Sequence, residues 1–497
     1  MRRYFLIILL LFLSCAKSFA FEIVYPKKTP CTIDAPSTFF IGSTNPQDIL
    51  KINDAEVPLH KSGSFAFVVP LKEGINEFKI TSYPSPLPSS YGTPHPNPLP
   101  QGERENNYNK IISARGEGEI NPVSIDFIIE RPKPQTTKKI EPILLEYPPM
   151  NNFFIKDDNT PLRLTPFDSG INRMAHLQKE TPLVINGEKG GFWRVFLNSK
   201  TIGWILKSDV EQKTDSTISA LPVSIKKLET KETKDFCIWE FELEGKTPFV
   251  LKEEDNRLNL KLFNVKSEDK NLCIEDSSLN FDVPVKKLFG YDAYFEGNKF
   301  ILKVRKAPEK NCDMPLKGLT ITVDAGHGGA EYGAIGPKGD KEKDINLEIA
   351  KNLKAELETL GAKVIMTRKD DIAVSLKDRV KTARENDSVI LISIHANALP
   401  DGADPIKCRG TSVYYYHNQA KPLADSILNS IITKSGTQND RMRQGSLALV
   451  RPTSSVSVLV EVAYIINPDD CELLLDKEFQ KNCAKAITEG VVKYLSD

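Results

Sequence analysis

The chain has 497 residues, with 66 Lys and Arg against 66 Asp and Glu. That length is too great for one hydrophobic core and implies three or four domains, and the even balance excludes nucleic acid or an acidic polymer as a partner held by bulk charge. Beyond the N-terminus no apolar run reaches the ~18 residues of a membrane-spanning helix, so no transmembrane span is expected.

The first twenty residues read as an export signal. Arg2 and Arg3 form a basic start, Tyr4 to Leu13 an apolar stretch too short to span a bilayer, and Ser18 and Ala20 supply the small residues a signal peptidase reads. A lipid anchor on Cys15 is the alternative, and Phe12 counts against it. The expected location is therefore the periplasm or cell wall. Of eight cysteines, removal of Cys15 leaves seven, at 31, 237, 273, 312, 408, 471 and 483. An odd number leaves at least one unpaired in a monomer, and Cys237 with Cys273 is the first candidate pair because both fall in one expected β module. Two buried thiols are the alternative.

Residues 21–132 carry short alternating runs, STFFIGS, DILKINDAEV, GSFAFVVPL, GINEFKIT and VSIDFIIE, which predict a small β-sandwich. Their order resembles the immunoglobulin-like modules appended to secreted bacterial enzymes. Residues 82–122 interrupt it with a proline-rich stretch too poor in apolar side chains to form a core, read as a disordered insert. A linker follows at 133–158. Five short strands over 159–210, with Trp193 and Trp204 near turns, resemble the bacterial SH3-like repeat found beside cell-wall hydrolases. Residues 211–308 are again β-rich.

From 315 to 495 the rhythm changes to alternating strands and helices. Runs near Leu319 to Val323, Lys363 to Thr367, Ser388 to Ile394, Thr411 to Tyr416 and Val458 to Tyr464 predict a mostly parallel sheet covered on both faces. The fold class is therefore multidomain: all-β modules followed by an α/β domain. Polar groups interrupt these elements at telling places. His327 lies in a glycine-rich turn after the first strand, Glu342 stands just ahead of a helix, His395 ends another strand, and Glu461 lies inside the run Val458 to Ala463. A carboxylate in that run costs several kcal/mol unless it is paired or metal-bound. Four such groups at strand ends are what a metal site on one sheet edge requires.

The motifs DAGHGG, EKD at Glu342 to Asp344, SIHANA from Ser393, and VLVE from Val458 with INPDD behind it resemble, in this order, those of zinc-dependent N-acetylmuramoyl-L-alanine amidases of type 3. The resemblance implies one Zn2+ held by His327, Glu342 and His395, with an open fourth position for water and peptidoglycan as substrate. It makes Glu461 the catalytic base and acid, in accord with an apolar setting that raises its pKa. Asp324 and Asn397 flank the ligands and are candidates to orient them or the substrate, and Arg451 matches a family arginine that could meet stem-peptide carboxylates. The β modules would then deliver the enzyme without taking part in the reaction.

His417 after YYY offers itself as a ligand, but a surface histidine is the simpler reading. Glu331 and Met442 stand where the family has aspartate and glycine, and bear on substrate fit. Between Tyr416 and Asp440 there is room for one surface helix, too little for the zinc-blocking insert of the cell-division amidases. Two alternatives remain open: a zinc peptidase or carboxypeptidase acting on the stem peptide, and a catalytically dead wall-binding scaffold. An envelope activator or scaffold partner is left unspecified.

Overall fold

The computed structural model describes residues 21–84, 122–133, 142–213 and 222–496. The expected export signal and nearly all of the proline-rich insert lie outside the described residues.

The first module has two facing sheets. Glu22–Tyr25, Ser37–Ser43 and Ser64–Pro70 form one, and Cys31–Thr32, Val123–Arg131, Gly74–Tyr83, Ile49–Ile52 and Ala55–Val57 form the other. Alternation along the strands puts Phe40, Phe65, Leu50, Ile80 and Ile129 between the sheets. Gly74 pairs with Arg131 and Ser82 with Val123.

Over 142–213, five strands form one sheet in the order Thr201–Leu206, Phe192–Asn198, Pro182–Lys189, Leu144–Ile155, Val210–Gln212. The expected linker at 133–158 thus contains a strand of 12 residues. Its prolines suggested a linker, but Pro148 and Pro149 fall where the register with Pro182–Lys189 jumps from Met150 to Glu146. At such an irregularity a missing N–H costs no ladder bond. Phe153, Phe154 and Ile155 then bury the end of the strand. Trp204 is buried in the core. The Trp193 ring lies 5.4 Å from that of Phe153 at an interplanar angle of 60°, with the Lys207 amine 4.6 Å from its own centroid.

Residues 222–308 form a five-stranded and a four-stranded sheet. Their core is continuous with that of 142–213, one cluster running from Phe153 to Val304. Cys237 lies in a strand of the first of these sheets and Cys273 precedes a strand of the second. Both are free thiols, as are the other five cysteines among the described residues, so the Cys237–Cys273 pairing is corrected.

The C-terminal domain comprises β1 (Thr320–Ala325), α1 (Glu342–Thr359), β2 (Lys363–Met366), α2 (Leu376–Glu385), β3 (Ile390–Asn397), β4 (Thr411–Tyr415), α3 (Lys421–Ser435), β5 (Asn439–Gln444), β6 (Val456–Tyr464), α4 (Pro468–Leu475) and α5 (Lys477–Ser496). The sheet order is β2-β1-β3-β6-β4-β5, parallel throughout except between β6 and β4. Ile349, Leu353 and Leu357 of α1 and Ala484, Ile487 and Val491 of α5 are fully buried in its core. Caps fix the helix starts: Ser375 accepts from the Asp378 amide, and Asn467 accepts from the amides of Asp469 and Asp470 ahead of Pro468. The helix expected on the surface, α3, is a core helix. Its Leu423, Ile427 and Ile431 are buried, and Gly490 of α5 admits the Ile427 backbone so closely that a Cβ there would lie 2.6 Å from its Cα.

The β modules do not merely trail from this domain. Phe39, Ile41 and Ala66 of the sandwich and Phe289 of the 222–308 module belong to the same buried cluster as the α/β core. Tyr25 and Thr38 donate to Asp401 at 2.8 and 2.6 Å, and the Tyr291 amide donates to Thr453 at 2.8 Å. The core of the α/β domain is therefore continuous with the sandwich and with the 222–308 module.

Candidate metal centre

Parallel register brings the C-terminal ends of β1, β3 and β6 to one edge: Asp324 is level with Ser393, Ser393 with Leu459, and His395 with Glu461. The turn after β1 carries His327, and the first turn of α1 carries Glu342. His327 Nε2 lies 3.2 Å from Glu342 Oε2, and His395 Nδ1 lies 2.9 Å from Glu342 Oε1. Ligand atoms of the three residues all fall within 4.8 Å of one another. Two imidazoles and one carboxylate at this spacing suit zinc with an open coordination position, so the residues fit the implied metal. Side-chain exposure of 30% at His327 and 18% at His395 against 5% at Glu342 leaves the histidine side open to solvent.

Glu342 is fastened before any metal arrives. The Ala334 amide donates to its Oε2 at 2.8 Å, and Asn346 Nδ2 and the Ala396 amide each donate to Oε1 at 3.1 Å. Burial opposes its charge, yet the hydrogen bonds and charges of both histidines hold its carboxyl well below the usual range. At His395 burial opposes protonation, but the Glu342 hydrogen bond and the charges of Glu461, Glu342 and Asp324 lift it to about 9.

Two glycines make room for this packing. A Cβ on Gly326 would lie 2.3 Å from the His395 ring, and one on Gly333 would lie 2.3 Å from Glu342 Oε2. His327 itself adopts φ of 62°, a left-handed conformation that costs a non-glycine residue about 1 kcal/mol or more. Arg379 holds it there by donating to the His327 carbonyl at 2.7 Å.

Glu461 faces the site from β6. Its Oε2 is buried without a hydrogen-bond partner. Burial, moderated by His395 and reinforced by Glu342, pushes its carboxyl up to about 7.

The remaining expected residues divide. Asp324 is fully buried but touches neither imidazole: it accepts from Thr367 and Ser393 at 2.6 Å and from Arg379 at 2.7 Å. It therefore acts through Arg379 on the backbone of the histidine turn. Asn397 turns its side chain back to the Ala398 amide at 2.9 Å and shows no contact with the three ligands. Arg451 precedes β6, before the end of that strand away from Glu461, with its carbonyl 2.9 Å from His417 Nε2. His417 is no ligand and no surface residue either: it is largely buried, 2.9 Å from the Arg451 carbonyl and 3.4 Å from Glu253. Glu331 lies exposed in the histidine turn, and Met442 packs against the core from β5.

A model of the N-acetylmuramoyl-L-alanine amidase family, Amidase_3, matches residues 321–493. The uncharacterized protein YqiI of Bacillus subtilis is 31% identical over 197 residues, which cover 39% of this chain and 93% of YqiI. The chain belongs to the N-acetylmuramoyl-L-alanine amidase family. "Probable cell wall amidase LytH" of Staphylococcus saprophyticus is 38% identical over 185 residues, or 37% of this chain. The match spans 60% of the length of that relative. Among solved structures, the N-acetylmuramoyl-L-alanine amidase AmiC2 of Nostoc punctiforme shares 35% identity, with 36% of this chain and 99% of that one covered at a TM-score of 0.35.

Three supports of the amidase centre escape a reading of the sequence. Asn346 stands one helical turn after Glu342, a spacing that could have flagged it. Arg368 donates to the carbonyls of Ala325, Gly326 and Lys343 at 2.8, 2.9 and 2.7 Å, and Arg379 to those of Ala325 and His327. Their partners are backbone oxygens, which leave no trace in residue type.

Proposed function

We propose that the chain hydrolyses the amide between N-acetylmuramic acid and L-alanine in peptidoglycan, with one zinc ion held by His327, Glu342 and His395. The observation that carries the reading is a pKa-raised carboxylate, Glu461, with its Oε2 buried and unpartnered, on the strand beside His395 of a two-histidine, one-glutamate cluster. When bound there, zinc supplies a Lewis acid that acidifies water and offsets charge developing on the amide oxygen. Glu461 takes the proton from the attacking water and delivers it to the departing nitrogen, a dual duty that a carboxyl with a pKa near 7 performs at neutral pH. Glu342, held anionic, leaves the site with one net positive charge once zinc is bound. Asp324 and Arg379 keep the His327 turn in place, and Gly326 and Gly333 keep space beside the ligands.

The substrate reading draws on the family and on the printed name of LytH as a cell wall amidase. Export to the periplasm or wall fits that substrate, and immunoglobulin-like and SH3-like identities for the β modules would suit wall contact. The connection from β4 to β5 is taken up by α3, packed in the core, which favours a groove open without an activator.

The test is product analysis on purified muropeptides with zinc-loaded protein. New amino groups on L-alanine are the expected result. Released D-alanine would make the enzyme a carboxypeptidase, and binding without product would make it a scaffold.

A further inference from the structure

β4 runs antiparallel to β6 and sets Ser412 opposite Glu461, as β3 sets His395 opposite it on the other side. His395, Glu461 and Ser412 thus form a row across three strands on one face of the sheet. The register is pinned beside this row. Thr411 Oγ1 donates to the Val462 carbonyl at 2.7 Å. The Gly410 amide donates at 2.7 Å to Asp470 Oδ2, which also accepts from the Tyr464 amide at 3.1 Å. A slip of one residue would turn Ser412 to the other face, and these bonds oppose it.

Two oxygens in this row lack partners. Ser412 is fully buried and its hydroxyl makes no hydrogen bond, and Glu461 Oε2 is buried in the same condition. Orphaned buried oxygens are uncommon in folded proteins, and two on directly opposed residues call for one explanation. Opposed strand residues carry their Cβ atoms about 4.5–5.5 Å apart, and a serine hydroxyl takes a new position at each staggered χ1. A rotation at Ser412 with a small adjustment at Glu461 closes the pair. Of the other polar side chains next to Glu461 on this face, His395 is engaged with Glu342, and Tyr414 lies one diagonal step away, opposite Leu459. Serine also suits both states of the carboxyl, because a hydroxyl donates to a carboxylate and accepts from a carboxylic acid. Glu461 as a whole is only half-buried, so holding Oε2 inside leaves Oε1 for the open side of the site.

We propose that Ser412 is a positioning residue for Glu461: its hydroxyl holds Oε2, which keeps the carboxylate aimed at the attacking water and off the metal. The serine keeps its own proton throughout. The proton that moves is the one Glu461 takes from water and passes to the departing nitrogen. The effect on catalysis rests on the amidase reading, whereas the contact between hydroxyl and carboxyl does not.

The experiment compares Ser412→Ala with the unaltered protein in the intact, zinc-loaded chain, alone and combined with Glu461→Gln. The serine variant should keep its metal and melt within about 4 °C of the unaltered protein, the scale of one hydrogen bond. Its kcat on soluble muropeptides should nonetheless fall about tenfold or more with KM little changed. In the Glu461→Gln background the same substitution should lower kcat no further, because the residue acts through Glu461. Tyr414→Phe should retain kcat. One measurement needs no turnover: in metal-free protein at mildly acid pH, the carboxyl band that Glu461→Gln removes from the infrared spectrum should move to higher wavenumber in Ser412→Ala, as a carbonyl does on losing a hydrogen bond. Full kcat in Ser412→Ala, an equal loss in both backgrounds, loss of metal or a larger fall in Tm, or an unmoved band would overturn the role. Loss of kcat in Tyr414→Phe with none in Ser412→Ala would give the role to the tyrosine. An unaltered protein that exposes no L-alanine amine on muropeptides would remove the amidase reading, and the infrared band alone would then judge the contact.

Discussion

His395 and Glu461 are register partners on the adjacent parallel strands β3 and β6, so their side chains emerge on the same face about one strand spacing apart. The pairing puts a carboxylate with a free oxygen next to a metal ligand without making it one. Glu461→Gln should keep metal and fold but lower kcat by roughly 10²- to 10⁴-fold, with KM little changed. The sign of the pH effect follows from the raised pKa. A base must be ionised, so kcat/KM should rise with pH through an acidic limb, placed at or below about 7 because bound zinc adds positive charge. The limb should vanish in the Gln variant. A Gln variant that loses its metal would make Glu461 a ligand.

Metal removal should uncouple function from folding. Glu342 is fastened by backbone amides and Asn346, and the histidine turn by Arg368 and Arg379, none of which needs the ion. Chelation should abolish turnover and lower Tm while leaving the far-UV circular dichroism unchanged, and His395→Ala should hold well under one metal equivalent. Elemental analysis and melting check both. Loss of secondary structure on chelation would show that the metal, and not the arginine frame, builds the site.

Gly326→Ala asks whether the ring pocket of His395 is as tight as it looks. The added methyl would lie 2.3 Å from the ring, so either the imidazole or the turn must move. Metal affinity should fall by more than about tenfold, the scale seen when an orienting group is lost, at modest cost in stability. Unchanged affinity would mean that the turn yields freely.

Much of this centre is legible in the sequence because its ligands sit at element ends. Apolar runs stop at His395 and enclose Glu461, and the 3.6-residue period of α1 begins at Glu342. What is not legible acts through backbone oxygens or across long separations. Arg379 serves the His327 carbonyl, and Arg451, matched by resemblance to an arginine that could meet stem-peptide carboxylates, precedes β6 at the end of the strand away from Glu461. His417 reads as exposed among polar neighbours until the 222–308 module covers it with Glu253. Asn439–Gln444, with a polar sequence, becomes an edge strand through its pairing with β4. The prolines of 144–155 hid a strand for the reverse reason, since only the partner's register shows that they fall at a bulge.

The same long-range packing sets the last expectation, that the α/β domain is not a free-standing unit. A fragment beginning at Pro315 would expose the surface that Phe39, Ile41, Ala66 and Phe289 now cover, and burial of a phenylalanine or isoleucine contributes about 1.5–3 kcal/mol. It would also free Asp401, on the loop just after the His395 strand, from Tyr25 and Thr38. For a domain of this size roughly 2–4 °C is lost per kcal/mol, so the fragment should melt more than about 10 °C below the intact chain. Its loosened loop should raise KM for soluble muropeptides. Tyr25→Phe in the whole chain isolates one contact and should cost about 1–2 kcal/mol, because Thr38 still holds Asp401. Calorimetry on the three proteins decides it: a fragment that melts with the intact chain would show that the modules rest on the domain without supporting it.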